Sequence, residues 1–226
     1  MIITIDGPAG SGKSTAARKL AAALELPYLD TGAMYRAITF KAIETGTDLD
    51  DPDALVTLTR STSLELDCGP TYARMIMDGH DVSEAIRSMR VNENTNRIAR
   101  VVGVREILID KQRAIARRLK SLVTEGRDQG SVVFPDADLK FLVNADDTKR
   151  ADRRYHEIAA DGDDVTYEQV LDNIRQRDDN DQKQWDPLLE TGEAVQIDTT
   201  HMTISEVVDR MRHEIEQRQS RRASAT

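Results

Sequence analysis

The run Gly7-Pro8-Ala9-Gly10-Ser11-Gly12-Lys13-Ser14, with Thr15 behind it, constrains this chain more than any other stretch. It satisfies G-x-x-x-x-G-K-[ST], in which backbone N–H groups converge on an anion and the following helix adds the positive end of its dipole. Lys13 supplies a mobile cation for the outer phosphates, and the Ser14 hydroxyl is a hard oxygen ligand for Mg²⁺. The flanks fit this. Ile2 to Asp6 is a β-branched run that reads as a buried strand, and Ala16, Ala17, Leu20, Ala21 and Leu24 recur at helical spacing until Pro27. Tyr28 to Asp30 is a second short strand, so the chain opens as strand–loop–helix–strand, the start of a parallel α/β sheet. Nucleoside triphosphate binding follows, but the loop alone does not separate kinase, hydrolase and switch.

The remaining pattern is mixed. Met34 to Glu44 reads as helix, and Leu64, Leu66, Met75 and Met77 alternate with polar residues as in an antiparallel hairpin. Val91 to Lys120 is helical with a break expected at Gly103. Leu122 to Thr124, Leu139 to Val143 and Ala194 to Ile197 read as further parallel strands. Asp146 to Pro187 is highly charged, with two helical patterns around Asp161 to Asp164, and is expected to be exposed and mobile. Ser205 caps a last helix that should end near Gln217, and the tail from Ser220 to Thr226 is expected to be disordered.

Two clusters follow strands directly, on the side where open α/β sheets bind ligands. They are Asp30-Thr31-Gly32-Ala33-Met34-Tyr35-Arg36 and Glu125-Gly126-Arg127-Asp128. Arg36 and Arg127 could grip a second phosphate bidentately. Arg150, Arg153 and Arg154 are spaced to share one helical face, from which they could close over a triphosphate. The net charge of −9 disfavours nonspecific binding to DNA or membranes. The basic stretch Arg97 to Lys120, eight bases against two acids, therefore reads as a solvated helical face with Arg105 alone functional. One cysteine, Cys68, precludes an intramolecular disulfide, and no signal peptide or transmembrane run is visible, which suits a cytoplasmic protein.

These residues make the chain resemble bacterial cytidylate kinases, of the nucleoside monophosphate kinase group. The resemblance runs from Ile3 to about Arg210. It rests on Ile5 to Lys13, Leu29 to Arg36, Asp81-Val82-Ser83 with Ile86-Arg87, Val104-Arg105-Glu106, Gly126-Arg127-Asp128 with Val132 to Ala137, Arg150 to Arg154, and Arg177-Asp178. It implies a P-loop kinase with a five-stranded parallel sheet flanked by helices. It also implies an enlarged monophosphate-binding insertion with a small antiparallel sheet, a helical lid, and a monomer. In this numbering the core would be 1–30, 106–146 and 188–219, the insertion 31–105 and the lid 147–187. By resemblance, Gly7 to Thr15 with Arg150 and Arg154 would hold Mg·ATP. Thr31, Arg36, Asn96, Arg105, Arg127, Asp128, Arg177 and Asp181 would hold CMP or dCMP. Lys13, Arg127, Arg150 and Arg154 would stabilise the transferring group. The family usually has Asp at Glu125, Ser at Asn96 and Arg at Gln184.

The chemistry of cytosine agrees with that set. A carboxylate such as Asp128 pairs with the N4 amino group and a guanidinium such as Arg105 with N3 or O2, so cytosine should be preferred over uracil. A phosphate acceptor is already largely ionised at neutral pH and needs no general base. The competing readings are a nucleotide-dependent switch, a kinase for UMP, and a kinase for a hydroxyl acceptor with Asp30 or Asp128 as base.

Overall fold

A computed structural model of the chain describes the backbone of residues 1–160 and 165–224, and within these every side chain except those of 157, 160, 177, 179–185, 222 and 223. Five strands form an all-parallel sheet. They are β1 (Ile2–Asp6), β2 (Tyr28–Asp30), β6 (Leu122–Gly126), β7 (Leu139–Asn144) and β8 (Ala194–Asp198), in the order β2-β6-β1-β7-β8. Alternate residues of these strands face opposite layers. Ile3, Ile5, Val123, Phe141 and Val143 pack on helices α1 (Lys13–Ala23) and α8 (Ile204–Ser224). Leu29, Leu122 and their neighbours join a second cluster. It includes Met34, Ala37 and Ile38 of α2 (Thr31–Glu44), Leu55 of α3 (Pro52–Ser61), and Val104 and Leu108 of α5 (Val102–Leu119).

A small antiparallel sheet carries the same second cluster. Its strands are β3 (Leu64–Cys68), β4 (Ala73–Met77) and β5 (His80–Asp81). Leu64, Leu66, Met75 and Met77 point into the core, as their alternation with polar residues predicts. The third strand arises from a two-residue turn at Asp78-Gly79, where both residues have positive φ, 50° and 83°, as a tight hairpin requires. The basic stretch is solvated over most of its bases, Arg97, Arg100, Arg117, Arg118 and Lys120 being exposed, yet three of the eight bond to backbone carbonyls. Lys111 donates to the Thr62 carbonyl, Arg113 to those of Val132 and Val133, and Arg118 to that of Leu66.

Several elements depart from the sequence reading. Helix α3 starts at Asp51-Pro52, where the Asp51 carboxylate accepts from the N–H groups of Asp53 and Ala54 and Pro52 occupies the first helical turn. The break between α4 (Met89–Ala99) and α5 falls at Arg100-Val101, not at Gly103. Gly103 is inside α5, and a Cβ there would lie 2.7 Å from Cγ2 of Val56 on α3. Its glycine serves helix packing, not termination. Helix α7 (Tyr167–Thr191) runs through Pro187 and stops at Gly192, which has φ 64°. The expected domain boundaries at 105/106 and 187/188 thus fall inside continuous helices. Helix α8 continues to Ser224, past the expected start of disorder, because no Gly or Pro interrupts it and the Ser220 and Ser224 hydroxyls donate to carbonyls four residues back.

Helices α6 (Asp147–Ala160) and α7 form a hairpin with its own small core of Ala151, Val170 and Ile174, flanked by Tyr155 and Tyr167 packed edge-on at 6.2 Å. Thr166 and Gln169 make a reciprocal capping box at the start of α7. The expected turn at Asp161 to Asp164 lies outside the described residues.

The Gly103–Val56 contact gives a test. Gly103→Ala adds helix propensity of about 1 kcal/mol but overpacks the α3–α5 contact by about 1–3 kcal/mol. Urea denaturation should show a net loss of stability in Gly103→Ala and its recovery in the Val56→Ala/Gly103→Ala double variant. A Gly103→Ala protein more stable than the parent would contradict the packing role.

Candidate active site

The parallel register places the carboxyl ends of three strands side by side. Asp30 is level with Glu125, and Asp6 with Gly126 and Leu142. The segments that leave this edge are the loop from Gly7 to Gly12, the start of α2, and the turn after β6. Helix α6 leaves it just beyond β7. A ligand cleft at this edge is what the topology of an open parallel sheet provides.

The loop from Gly7 to Gly12 is held from several sides. Gly7 (φ 148°), Gly10 (φ 74°) and Gly12 (φ 87°) all adopt positive φ. A Cβ on Gly7 would collide with the Val143 carbonyl oxygen, and one on Gly10 would lie 3.0 Å from Cβ of Arg150. Ser11 is fully buried, and its hydroxyl donates to the Pro8 carbonyl at 3.0 Å. Its carbonyl accepts from the Thr199 hydroxyl at 3.0 Å, which fixes the loop to the end of β8.

Three cations reach three consecutive carbonyls of this loop. Arg127 donates to Gly7, Lys13 to Pro8 at 3.2 Å, and Arg150 to Ala9 at 3.2 Å. They come from the turn after β6, from α1 and from α6. Arg150 is almost fully buried. It also donates to the Ala145 carbonyl at 2.8 Å and pairs bidentately with Asp178 of α7. The three arginines of α6 do not act as one face. Arg153 donates to the Thr199 carbonyl at 2.7 Å and lies beside Gly12, whereas Arg154 is exposed. Adjacent helical residues are about 100° apart, so only one of the pair can face the loop.

The turn after β6 is anchored by a residue the motifs did not single out. Asp6 is fully buried and accepts from the Gln129 N–H at 2.8 Å and the Gly130 N–H at 2.7 Å. Gly130 permits this approach, since a Cβ there would lie 2.8 Å from Oγ1 of Thr4 and 3.3 Å from Oδ2 of Asp6. The Gln129 side chain accepts from the Thr124 hydroxyl at 3.0 Å and donates to Gln112 of α5 at 3.2 Å. Arg127 and Asp128 therefore sit on a turn bound to β1, β6 and α5 together. A carboxylate closing a buried strand directly before Gly7 was the available sequence signal for Asp6.

Of the predicted acceptor residues, Thr31 and Arg36 form one group at this edge and Arg105 and Asp128 another. Arg105, on α5, is paired with the buried Asp128. Tyr35 lies within the influence of both, and burial pushes its hydroxyl up to about 12. Thr31 donates to the Glu125 carbonyl at 2.8 Å. Asp30 caps α2 by accepting from the Ala33 N–H at 2.9 Å and pairs with Arg36 at 3.1 Å. The Arg36 Nε is buried without a hydrogen-bond partner. Asn96 is exposed on α4, which packs along α2. The side chains of Arg177, Asp181 and Gln184 lie outside the described residues.

A divalent ion fits here only together with a polyphosphate. Ser14, partly exposed in the first turn of α1, offers one hydroxyl oxygen. The nearby Asp6 is consumed by two amides, and among the described residues no group of three His, Cys, Asp or Glu could hold an ion alone. Mg²⁺ characteristically arrives with substrate phosphates and keeps few protein ligands. Among the described residues no helix is long and apolar enough to cross a membrane.

Burial pushes the Asp6 carboxyl up to about 7, against the lowering effect of its two amide donors. The folded protein thus holds this proton more tightly than the unfolded chain. The group's contribution to stability is full below the ordinary carboxylate range and is lost as pH rises through about 7. Asp6→Asn cannot titrate. The unfolding free energy of the parent minus that of the variant should therefore fall between about pH 4 and pH 7.5, at no more than about 1.4 kcal/mol per pH unit. A difference that is flat or rises over that range would contradict this account.

Comparison with known proteins agrees with the geometry. The family model for cytidylate kinase matches residues 3–217. The chain is 45% identical over 210 residues to the cytidylate kinase of Caldanaerobacter subterraneus subsp. tengcongensis, covering 92% of each chain. It is 40% identical over 220 residues to that of Pseudomonas putida, covering 96% of each. The structure of shikimate kinase from Bacteroides thetaiotaomicron shares the fold, with a TM-score of 0.50 at 13% identity over 96% of this chain and 98% of that one. The match over nearly the whole length, on a P-loop kinase fold, places this chain in the cytidylate kinase family, a family of phosphotransferases.

Proposed function

We propose that this protein transfers the γ-phosphoryl group of Mg·ATP to CMP or dCMP, releasing ADP and CDP or dCDP. The observation that carries the reading is the convergence of Lys13, Arg127 and Arg150 on consecutive carbonyls of the Gly7–Gly12 loop, with a second arginine site, Arg36, at the same sheet edge. A switch or hydrolase needs the first set but not the second.

The loop amides and Lys13 would receive the donor phosphates, with Ser14 as one ligand of the accompanying Mg²⁺. When bound with the donor, such an ion would supply positive charge against that developing on the transferring group, and Lys13 would add to it. Arg127 bonds the loop at Gly7 and directly precedes Asp128 in the chain, so it would meet the transferring group and the acceptor phosphate together. Cations bonded to neutral carbonyls exchange readily for phosphate oxygens, because charge-assisted bonds are the stronger ones. Arg150 is already tied to α7 through Asp178, so movement of the α6–α7 hairpin would carry it over the donor. By the same reading Arg154 would approach only on closure, and Arg177 and Asp181 would reach the acceptor from α7. Closure would also exclude water from the phosphoryl group.

Asp128 and Arg105 suit the edge of cytosine. Their mutual bond uses Oδ2 of Asp128, and the second carboxylate oxygen can accept from the N4 amino group while Arg105 donates to N3 or O2. Thr31 and Asn96 would complete the pocket wall. The acceptor oxygen is ionised, so catalysis is positioning and charge neutralisation without a base. The same reading has the protein act as a cytoplasmic monomer.

ADP release from Mg·ATP should require CMP or dCMP and be far slower with UMP, AMP or GMP. ADP formed equally without acceptor would overturn the proposal. Asp128→Asn keeps a single acceptor oxygen and cannot serve both Arg105 and the amino group, so it should lower kcat/KM for CMP by about 10²–10⁴-fold, the cost of leaving buried polar groups unpaired. Its KM for Mg·ATP should stay within about twofold of the parent value, since Asp128 is read as touching the acceptor alone. A Michaelis-constant effect confined to ATP would show that Asp128 serves the donor side instead.

A further inference from the structure

We propose that Arg87 is a direct ligand of the acceptor's phosphate, partnering Arg36, and that Asp30 holds both guanidiniums in place until the phosphate arrives. This inference rests on the kinase reading above and adds a residue to it.

Arg87 closes the short helical turn Ala85–Arg87 between β5 and α4. Its backbone is pinned on both sides. Ile86 is buried in the core that α2 and β4 share, and the Ile86 N–H donates to the Val82 carbonyl at 3.0 Å. The Arg87 carbonyl accepts from the Asn92 amide at 2.9 Å, and its N–H donates to Glu84 at 3.0 Å. From this fixed base the side chain is 61% exposed, yet its Nη2 lies 3.8 Å from Oδ2 of Asp30, a carboxylate only 12% exposed. Oδ2 is also the oxygen that Arg36 approaches at 3.1 Å. Two guanidiniums from separate elements therefore aim at one oxygen at the carboxyl edge of the sheet.

Asp30 cannot satisfy both. One of its oxygens is shared with the Ala33 N–H, each guanidinium carries five donors, and the Arg36 Nε is buried without a partner. Glu125, level with Asp30 on β6, does not relieve this, because it faces the Tyr28 hydroxyl at 3.4 Å. A phosphate monoester dianion supplies what is missing: three oxygens and a second negative charge. It would take the forks of Arg36 and Arg87 in place of Asp30. Arg87 would then report acceptor binding to the turn between β5 and α4.

The test uses Arg87→Gln and Arg87→Lys in the full-length protein. Arg87→Gln should weaken CMP binding, and raise the KM for CMP, by about 10- to 100-fold, the range for losing a charge-assisted bond to phosphate. The KM for Mg·ATP and the thermal midpoint should not move, because the side chain is exposed and is read as touching the acceptor alone. Lys should restore part of the loss as a point charge without the fork. Asp30→Asn, which keeps a competent helix cap, separates direct from indirect action. If Arg87→Gln still weakens CMP binding in that background, the contact is direct. If its effect vanishes there, or if Arg87→Gln binds CMP as the parent does, the proposal is overturned. A parent protein that binds no CMP would sink the kinase reading. Arg87 is then judged by inorganic phosphate, whose thermal stabilisation should be lost in Arg87→Gln if it is an anion ligand and retained if it is not.

Discussion

The buried carboxylate of Asp6 governs the rest of the site. It ends the central strand of the sheet, immediately before the Gly7–Gly12 loop, and it accepts two backbone N–H groups from the turn after the neighbouring strand. A buried carboxylate is costly unless its oxygens are met, and two amides meet them here. The consequence is geometric. One residue fixes the loop that would take the donor phosphates relative to the turn that carries Arg127 and Asp128. In-line transfer depends on the spacing of donor and acceptor to a fraction of an ångström, and a rigid strand end is a better ruler than a loop.

Around that ruler the cations are gathered in advance. Lys13, Arg127 and Arg150 sit on neutral carbonyls of the loop, and Arg36 and Arg87 share Asp30. Each is held by a partner that phosphate can replace, so little reorganisation is needed when charge arrives. Arg150 adds a mechanical link. Its bidentate pair with Asp178 joins α7 to the underside of the loop, while Arg175 joins α7 to Asp147 at 2.7 Å. The α6–α7 hairpin has its own small apolar core, and the buried Leu188 of α7 lies against Gly130 in the turn after β6.

How far the sequence could be read depended on the range of the interactions. The Gly7–Ser14 loop and its strand and helix are local, and a short motif declares them. The five parallel strands follow from short apolar runs, β1 and β2 with the expected bounds and β6, β7 and β8 one or two residues longer. Helix α3 is legible in Asp51-Pro52-Asp53, a cap and a first-turn proline, followed by Leu55, Val56 and Leu58 at helical spacing, but it is only ten residues long. Gly103 was misread because a glycine in a helical pattern looks like a break, and only the approach of Val56, distant in sequence, explains it. The Asp6 clamp joins residues 123 and 124 positions apart, so the local pattern shows a carboxylate at a buried strand end but not its partners. Arg153 and Arg154 were not separable by spacing, since the rotation of α6 is set by packing against Gly10. Arg36, Arg105, Arg127 and Asp128 came from their positions at strand ends and from family resemblance, and the structure brings Arg105 and Asp128 into direct contact.

Amide hydrogen exchange tests the central role of Asp6 most directly. In the unliganded protein the N–H groups of Gln129 and Gly130 should exchange as slowly as those of strand β6, although they lie in a turn. In Asp6→Ala these two should lose protection while the β7 amides keep theirs, and Arg127 should lose its fixed distance from Gly7. Exchange of Gln129 and Gly130 at the rate of exposed loop amides in the parent protein would contradict the account.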